Sequence, residues 1–404
     1  MSRHPVSGPA TRLRLGALGL LVCVLAACSG PEGDPGGLGA TQGGPQPTTR
    51  TGAPHAPTAG ATTASPPVSP TGPSAGSPPD RPLSPHVVGT VARALAVPWG
   101  VDFLPDGTAL VTERDTTRIL AVRDGRSRVV GQLDAAAPQG ESGVLGLAVS
   151  PTFDEDRWVY VYLTTDHDNR VVRLRYDGDR LGAPRVVLDG IPRGFVHDGG
   201  RLEFGPDGML FVSTGETGEE SLAQDRDSLG GKILRITPDG LAAPGNPVPG
   251  SPVWTMGHRN VQGLAFDVAD RLWASEFGQD TWDELNRIEK GRNYGWPLVE
   301  GRGDLEEYRN PFAQWRTSEA SPSGLAFTEG ALWMASLRGE RLWRVPVHAD
   351  GGIGQPQDFF VGAFGRLRTV VVAPDGHLWL TTSNRDGRGD PAPADDRILE
   401  VALR

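Results

Sequence analysis

The sequence predicts an all-β fold, a six-bladed β-propeller of four-stranded antiparallel blades. A turn rich in Asp and Gly, followed by an alternating strand, recurs in "PDGTALV", "DRWVYVY", "PDGMLFV", "DRLWASE", "EGALWMA" and "PDGHLWL". Repeats of about fifty residues are typical of propeller blades. Because no long segment shows the helical period of 3.6 residues, antiparallel strands account for the pattern.

One apolar position in the repeat fixes the number of blades. Its six copies are separated by 46 to 62 residues and are Leu110, Val159, Leu210, Leu272, Leu332 and Leu378. Six copies predict six blades. When the blades close into a ring, few sheet edges stay exposed. The terminal "RILEVAL" and the early "HVVGTVARAL" are candidates to share the last blade, a pairing that the sequence leaves open.

The N-terminal segment, residues 1–27, is interpreted as a lipoprotein signal peptide. Arg12 and Arg14 precede an apolar run that ends at Ala27 and is too short to span a bilayer comfortably. "LAAC" resembles the lipobox of bacterial lipoproteins, which implies cleavage before Cys28 and a lipid on that cysteine. We therefore expect an exported, extracytoplasmic protein anchored to the cell membrane through Cys28; the alternative is an ordinary or uncleaved signal peptide.

Composition divides the rest of the chain into two parts. Residues 28–85 are rich in Gly, Pro, Thr, Ser and Ala and predict a disordered tether, whereas residues 86–404 carry the propeller. The two cysteines, Cys23 and Cys28, leave an exported domain without a disulfide. A formal net charge of −10 argues against nucleic acid as a partner.

Polar clusters interrupt the repeat in loops, where propellers usually bind their ligands. They read "QGESGVLGLAVSP", "HDGGRLEFGPDG", "GHRNVQGLAF", "SEFGQDTWDELN" with "GRNYGWP", and "GRLRTVVVAPDG". Corresponding loops of different blades converge on the axis of a propeller. We therefore expect these clusters to form one site.

These motifs, in this order, resemble the soluble quinoprotein glucose dehydrogenases and the related aldose sugar dehydrogenases. The resemblance covers residues 97–397, and "GHRNVQGLAF" and "KGRNYGWP" are its most specific parts. That family uses pyrroloquinoline quinone (PQQ) and calcium on a six-bladed propeller. The resemblance implies oxidation of an aldose at its anomeric carbon to the lactone, with electrons passed to an external acceptor.

The resemblance also implies the catalytic residues. His197 matches the histidine of the HxxGRL motif, the general base that takes the proton of the anomeric hydroxyl. Imidazole suits this task because its pKa lies near neutral pH. Glu216 matches the carboxylate that orients the imidazole, where aspartate is more usual, and Arg259 belongs to the same catalytic set.

PQQ carries three carboxylates, which arginine recognises with two parallel hydrogen bonds. By resemblance, the residues that contact the cofactor are Glu141, Arg259, Asn260, Gln262, Arg338, Arg366 and Arg368. Arg338 stands where the glucose dehydrogenases have lysine. Glu141 stands where they have glutamine, so it could accept hydrogen bonds from the sugar or repel the anionic cofactor.

Calcium prefers oxygen ligands, including backbone carbonyls. The resemblance assigns two of its ligands to the carbonyls of Gly278 and Gln279, the second of which is commonly proline. The neighbouring acidic residues lack EF-hand spacing and are interpreted as turn-forming groups. Trp315, in a variable stretch, is a candidate for stacking on the sugar ring.

Two other functions are consistent with the same scaffold, because a fold alone never establishes an activity. One is a non-catalytic propeller that binds a glycan or a protein. The other is a calcium-dependent lactonase, which would need carboxylates and asparagines from several blades around a central cation.

Overall fold

The computed structural model describes residues 83–404, which form six four-stranded antiparallel sheets arranged in a ring. The predicted six-bladed propeller is therefore confirmed. The predicted signal peptide, Cys28 and nearly all of the predicted tether lie outside the described residues. Between residues 83 and 404, no helix is long and apolar enough to cross a membrane.

Each blade takes four strands in chain order, except that the last blade is completed by the first strand of the fold. The strands are β1 Pro85–Ala92, which belongs to blade 6; β2 Pro98–Phe103, β3 Ala109–Glu113, β4 Arg118–Arg123 and β5 Arg126–Gln132 in blade 1; β6 Val144–Val149, β7 Trp158–Thr164, β8 Asn169–Arg175 and β9 Arg185–Ile191 in blade 2; β10 Leu202–Phe204, β11 Leu210–Ser213, β12 Lys232–Ile236 and β13 Val253–Met256 in blade 3; β14 Val261–Phe266, β15 Leu272–Glu276, β16 Trp282–Ile288 and β17 Ala313–Arg316 in blade 4; β18 Pro322–Thr328, β19 Ala331–Ser336, β20 Arg341–Pro346 and β21 Gln357–Phe359 in blade 5; and β22 Leu367–Val372, β23 Leu378–Thr382 and β24 Ile398–Leu403 in blade 6. A short helix, α1 Phe153–Asp156, and a 3₁₀ turn, Glu220–Ala223, lie in loops.

The two ends of the described chain close the ring. Strand β1 pairs antiparallel with β24, so that Pro85 lies opposite Leu403 and Ala92 lies opposite Ile398. Ser84 and Arg404 extend this ladder with two further backbone hydrogen bonds, of 2.7 and 3.1 Å. This pairing, which the sequence left open, is thus the one that forms.

Apolar side chains fill the gaps between neighbouring blades. Six buried clusters occupy the six gaps, each built from strands of the two blades that meet there. The repeated apolar position is the first or second residue of the second strand in every blade, and its six residues are at most 4% exposed. The sequence repeat is therefore explained by this packing, and the loops are left for function.

The first strands of all six blades line the axis and enclose a channel of about 290 Å³. Arg201 of blade 3 crosses this axis. Its guanidinium donates to the carbonyl of Gln262 at 2.9 Å and to the hydroxyl of Thr369 at 3.1 Å, and it lies 4.3 Å from the ring of Trp99. Burial lowers the pKa of Arg201 to about 10. One side chain thus connects blades 3, 4, 6 and 1.

Candidate active site

The predicted site residues lie at one end of the ring, which we call the site face. Most of them lie in loops that either precede the first strand of a blade or follow its second strand. Gln262 and Arg368 lie at the start of a first strand. Because the strands of a blade are antiparallel, these positions share one end of the ring. The turns between first and second strands lie at the opposite end.

His197 and Glu216 form a hydrogen-bonded pair on the site face. Nδ1 of His197 lies 2.5 Å from Oε1 of Glu216. The histidine side chain is 15% exposed, whereas that of Glu216 is 1% exposed. With Nδ1 donating to the carboxylate, Nε2 carries the lone pair and is free to accept a proton.

The backbone around this pair leaves no space for a side chain at position 215. A Cβ atom on Gly215 would lie 1.8 Å from the carbonyl oxygen of His197. That oxygen accepts the backbone N–H of Thr217 at 3.1 Å, and His197 itself has a φ of 57°. The loops that carry His197 and Glu216 are therefore held together through their main chains.

Arg366 and Arg368 converge on one buried carboxylate, Asp386. Arg366 donates to Oδ2 of Asp386 at 2.9 Å, and Nη2 of Arg368 lies 3.7 Å from the same atom. Burial alone would raise the pKa of Asp386, but the charges of the two arginines hold it below its ordinary value. Burial lowers the pKa of Arg368 to about 9. The predicted pair of arginines is thus brought together.

Gln262 is buried and hydrogen-bonded within the protein. Its Oε1 accepts from Nη1 of Arg368 at 2.9 Å and from the hydroxyl of Ser323 at 3.0 Å. The amide oxygen therefore orients Arg368.

Arg259 and Asn260 each present one buried donor that has no acceptor among the described residues. Within residues 83–404, the buried atoms Arg259 Nε and Asn260 Nδ2 have no hydrogen-bond partner. Nη1 of Arg259 donates to the carbonyl of Gly278 at 2.8 Å, and its guanidinium lies 5.3 Å from the ring of Trp296. Burial lowers the pKa of Arg259. Such unpaired buried donors are rare and call for a ligand or water.

The loop with the predicted calcium ligands is fixed by two carboxylates. Oε1 of Glu300 accepts the backbone N–H groups of residues 279–282 at 2.7 to 3.2 Å. Asp283 accepts the N–H of Gly278 at 2.9 Å. A Cβ atom on Gly278 would lie 2.0 Å from the carbonyl oxygen of Trp282, so the turn requires glycine there. The carbonyl of Gln279 accepts no hydrogen bond from the described residues.

Glu141 joins His197 to a distant loop. One oxygen of its carboxylate accepts the backbone N–H of His197 at 3.0 Å, and the other accepts Nη1 of Arg388 at 2.7 Å. Burial alone would raise the pKa of Glu141, but these two contacts hold it below its ordinary value.

Two other predicted residues have different surroundings. Arg338 follows β19 on the site face, and its side chain is exposed. Trp315 lies in the core between blades 4 and 5, where it is 6% exposed and its ring lies 5.4 Å from that of Trp343. The suggestion that Trp315 stacks on a sugar is therefore wrong, because the outer strand β17 packs it inward.

Sequence reasoning missed three groups at the site face: Asp386, Arg388 and the pair His258–Glu276. Nδ1 of the fully buried His258 lies 2.8 Å from Glu276, and its ring stacks on Tyr294. This histidine belongs to "GHRN", a motif that drew attention only to its arginine and asparagine. Asp386 and Arg388 lie in "NRDGRGD", whose crowding of charges could have marked it.

The cluster of potential metal ligands found between residues 83 and 404 is Asp375, His377 and Glu400. It lies at the turn after β22, at the end of the ring opposite the site face. It is therefore not part of the site face.

Comparison with known proteins agrees with the geometry. Residues 95–391 match the family model described as Glucose / Sorbosone dehydrogenase. A PQQ-bound aldose sugar dehydrogenase from Streptomyces coelicolor is 54% identical, with a TM-score of 0.78 over 81% of this chain and 100% of that one. Aldose sugar dehydrogenase YliI of Escherichia coli is 28% identical over 72% of this chain and 88% of its own length. Quinoprotein glucose dehydrogenase B of Acinetobacter calcoaceticus is 33% identical over 55% of this chain and 54% of its own length.

The family model covers residues 95–391, well over half of the chain, and the aligned S. coelicolor structure has the same fold. This chain belongs to the Glucose / Sorbosone dehydrogenase family.

Proposed function

We propose that the protein is a PQQ- and calcium-dependent aldose dehydrogenase that oxidises the anomeric carbon of its substrate to the lactone. The observation that carries the proposal is the His197–Glu216 pair, which shares the site face with Arg259, Arg366 and Arg368. The S. coelicolor relative is an aldose sugar dehydrogenase with PQQ bound.

The residues present fit a cofactor with three carboxylates. Arg366 and Arg368 outnumber the one carboxylate that they share, and Arg259 and Asn260 offer unpaired buried donors. Anions on PQQ would satisfy those donors and remove the cost of burying them alone. When bound, PQQ supplies the two-electron acceptor for the hydride of the sugar.

His197 acts on the proton of the anomeric hydroxyl. Its Nε2 accepts that proton, because Nδ1 is committed to Glu216. Glu216 then stabilises the resulting imidazolium and keeps the ring in one orientation. Glu141 holds the main chain of the base by accepting its backbone N–H group.

The carbonyls of Gly278 and Gln279 would hold calcium. Carbonyl oxygens suit this hard cation, and the carbonyl of Gln279 has no partner within the described residues. The carbonyl of Gly278 faces Nη1 of Arg259, which a bound cation would replace as its partner. Calcium there would supply a Lewis acid beside the cofactor.

The lipid anchor at Cys28, export and an external electron acceptor belong to the same proposal. They rest on the lipobox resemblance and on the need for a second electron carrier. Labelling with a radioactive fatty acid in the native host tests the anchor, because Cys28→Ala should abolish both labelling and membrane association.

Reconstitution tests the catalytic proposal. Residues 83–404 are mixed with PQQ, with or without calcium, and the reduction of a dye by a panel of aldoses is followed beside the absorbance of the cofactor. We expect His197→Ala to lose at least a hundredfold in turnover, at the lower end of what a general base contributes, while PQQ binding is retained.

His167→Ala is the matched control, because His167 is exposed and only its backbone N–H makes a hydrogen bond. Absence of PQQ binding by a folded propeller would overturn the proposal and leave a glycan- or protein-binding propeller. Full turnover of His197→Ala would overturn the assignment of the base.

A further inference from the structure

Glu141 presents a chemical conflict if the proposed function holds. A buried carboxylate beside the catalytic base would repel a cofactor that carries three negative charges. Its side chain is 12% exposed, so water screens it little. A site that binds such an anion therefore needs a nearby cation matched to Glu141.

That cation is Arg388, which comes from a different blade. Nη1 of Arg388 donates to Oε1 of Glu141 at 2.7 Å, across 247 residues of sequence. Glu141 precedes β6 of blade 2, whereas Arg388 follows β23 of blade 6. Blades 2 and 6 both border blade 1, so the contact passes over that blade at the site face.

The turn that carries Arg388 is anchored in the arginine cluster. Oδ1 of Asp386 accepts the backbone N–H of Arg388 at 3.0 Å, while its Oδ2 binds Arg366. The arginines that hold Asp386 therefore also fix the start of the Arg388 side chain. The side chain of Arg388 itself is 52% exposed, and a pair of that exposure contributes little to stability. Its effect is on local charge.

We propose that Arg388 is a positioning residue that neutralises Glu141 and ties blade 2 to blade 6 across the site face, so that the site accepts a tricarboxylate. The inference rests on the proposed function. The charged groups around Glu141 are His197, Asp198, Arg259, Arg368 and Arg388. With Arg388 present, the carboxylate is paired, and the remaining arginines face the cofactor.

A double-mutant cycle tests the pair through cofactor binding, measured as the quenching of protein fluorescence by PQQ. We expect Arg388→Gln to weaken PQQ binding about tenfold, because Glu141 is left uncompensated. Glu141→Gln should bind PQQ more tightly than the wild type, because a neutral amide no longer repels the carboxylates of the cofactor. The double variant should recover to within about threefold of the wild type.

Arg385→Gln is the matched control, because it removes an arginine from the same turn whose guanidinium donates to the carbonyl of Asp395. Equal weakening in Arg388→Gln and in the double variant would overturn the proposal, since Arg388 would then contact the cofactor directly. Unchanged binding in Arg388→Gln would also overturn it.

A second readout needs no cofactor. In the apoprotein, the titration of the Glu141 carboxyl group is followed by ¹³C NMR, and its signal is assigned by its loss in Glu141→Gln. We expect Arg388→Gln to raise the pKa of Glu141 towards its ordinary value. An unchanged pKa would overturn the pair alone. A different outcome is that the wild type binds no PQQ although Arg388→Gln does raise the pKa of Glu141. That result would overturn the proposed function and, with it, the role of the pair in cofactor binding.

Discussion

At the scale of single residues, the exchange of aspartate for glutamate at position 216 is accommodated without loss of contact. Oε1 of Glu216 reaches Nδ1 of His197 at 2.5 Å, and its Oε2 is buried without a partner among residues 83–404. The backbone N–H of Glu216 donates to the carbonyl of Arg259, so the residue is also held through its main chain. The longer side chain thus reaches the imidazole of His197 from a fixed backbone.

Replacing Glu216 with glutamine tests this orientation. We expect kcat to fall roughly a hundredfold because an amide stabilises the imidazolium poorly. The dissociation constant of PQQ should stay unchanged. Glu216→Asp should recover most of the turnover, which a merely structural role would not predict. Steady-state kinetics beside a PQQ titration distinguish the cases, and equal kcat for the glutamine variant and the wild type would contradict the orienting role.

At the scale of elements, strands and loops differ in how far the sequence predicts them. The apolar repeat identifies the strands because every blade packs the faces of its sheet against neighbouring blades, and residues two apart along a strand share a face. The loops are specified by contacts between blades, such as those of Asp386 with Arg366 and Arg368. No local pattern encodes such contacts. For the same reason the motif order located His197 and the arginines, whereas Arg388 and the burial of Trp315 needed coordinates.

The loop of residues 278–282 gives the prediction at this scale. Glu300 accepts four of its backbone N–H groups, and these bonds hold the pKa of Glu300 below its ordinary value although burial opposes them. Glu300→Gln should therefore speed the hydrogen exchange of this loop on the order of tenfold, since hydrogen bonds to a charged group are the stronger ones.

Hydrogen-exchange mass spectrometry at neutral pH checks that expectation, with the exposed Glu307→Gln as the control. Because a depressed pKa stabilises only above the ordinary pKa of 4.5, the difference between wild type and Glu300→Gln should shrink as the pH falls below that value. Equal exchange at neutral pH would show that Glu300 does not fix the loop.

At the scale of the whole molecule, the axial channel contains two carboxyl groups, those of Glu203 and Asp102, whose pKa values are raised by burial. Burial raises the pKa of Glu203 to about 8, with the charge of Asp102 adding to the shift and that of Arg201 opposing it. Burial raises the pKa of Asp102 to about 6, although two backbone N–H groups oppose it. Both side chains line the channel between the six first strands.

These raised values predict how the stability of the ring depends on pH. A carboxyl group with a higher pKa in the folded state favours folding fully below its unfolded pKa, and that stability is lost as the pH rises through its folded pKa. For Glu203 the window runs from 4.5 to about 8. Glu203→Gln should therefore have the same melting temperature as the wild type near pH 5 and a higher melting temperature at pH 9.

Calorimetry across this range measures the effect, with the exposed Glu306→Gln as the control. Melting curves of Glu203→Gln and wild type that stay parallel from pH 5 to 9 would contradict the raised pKa.

The closure of the ring by β1 and β24 also decides how the protein can be attached to anything else. Strand β23 runs from the turn end of blade 6 to the site face, β24 returns, and β1 starts beside the last residues of β24. Ser84 and Arg404 therefore lie side by side, at the end of the ring opposite the site face. A carrier fused directly before Ser84 or directly after Arg404 would therefore lie at the end of the ring opposite the site face, and would leave the proposed site uncovered.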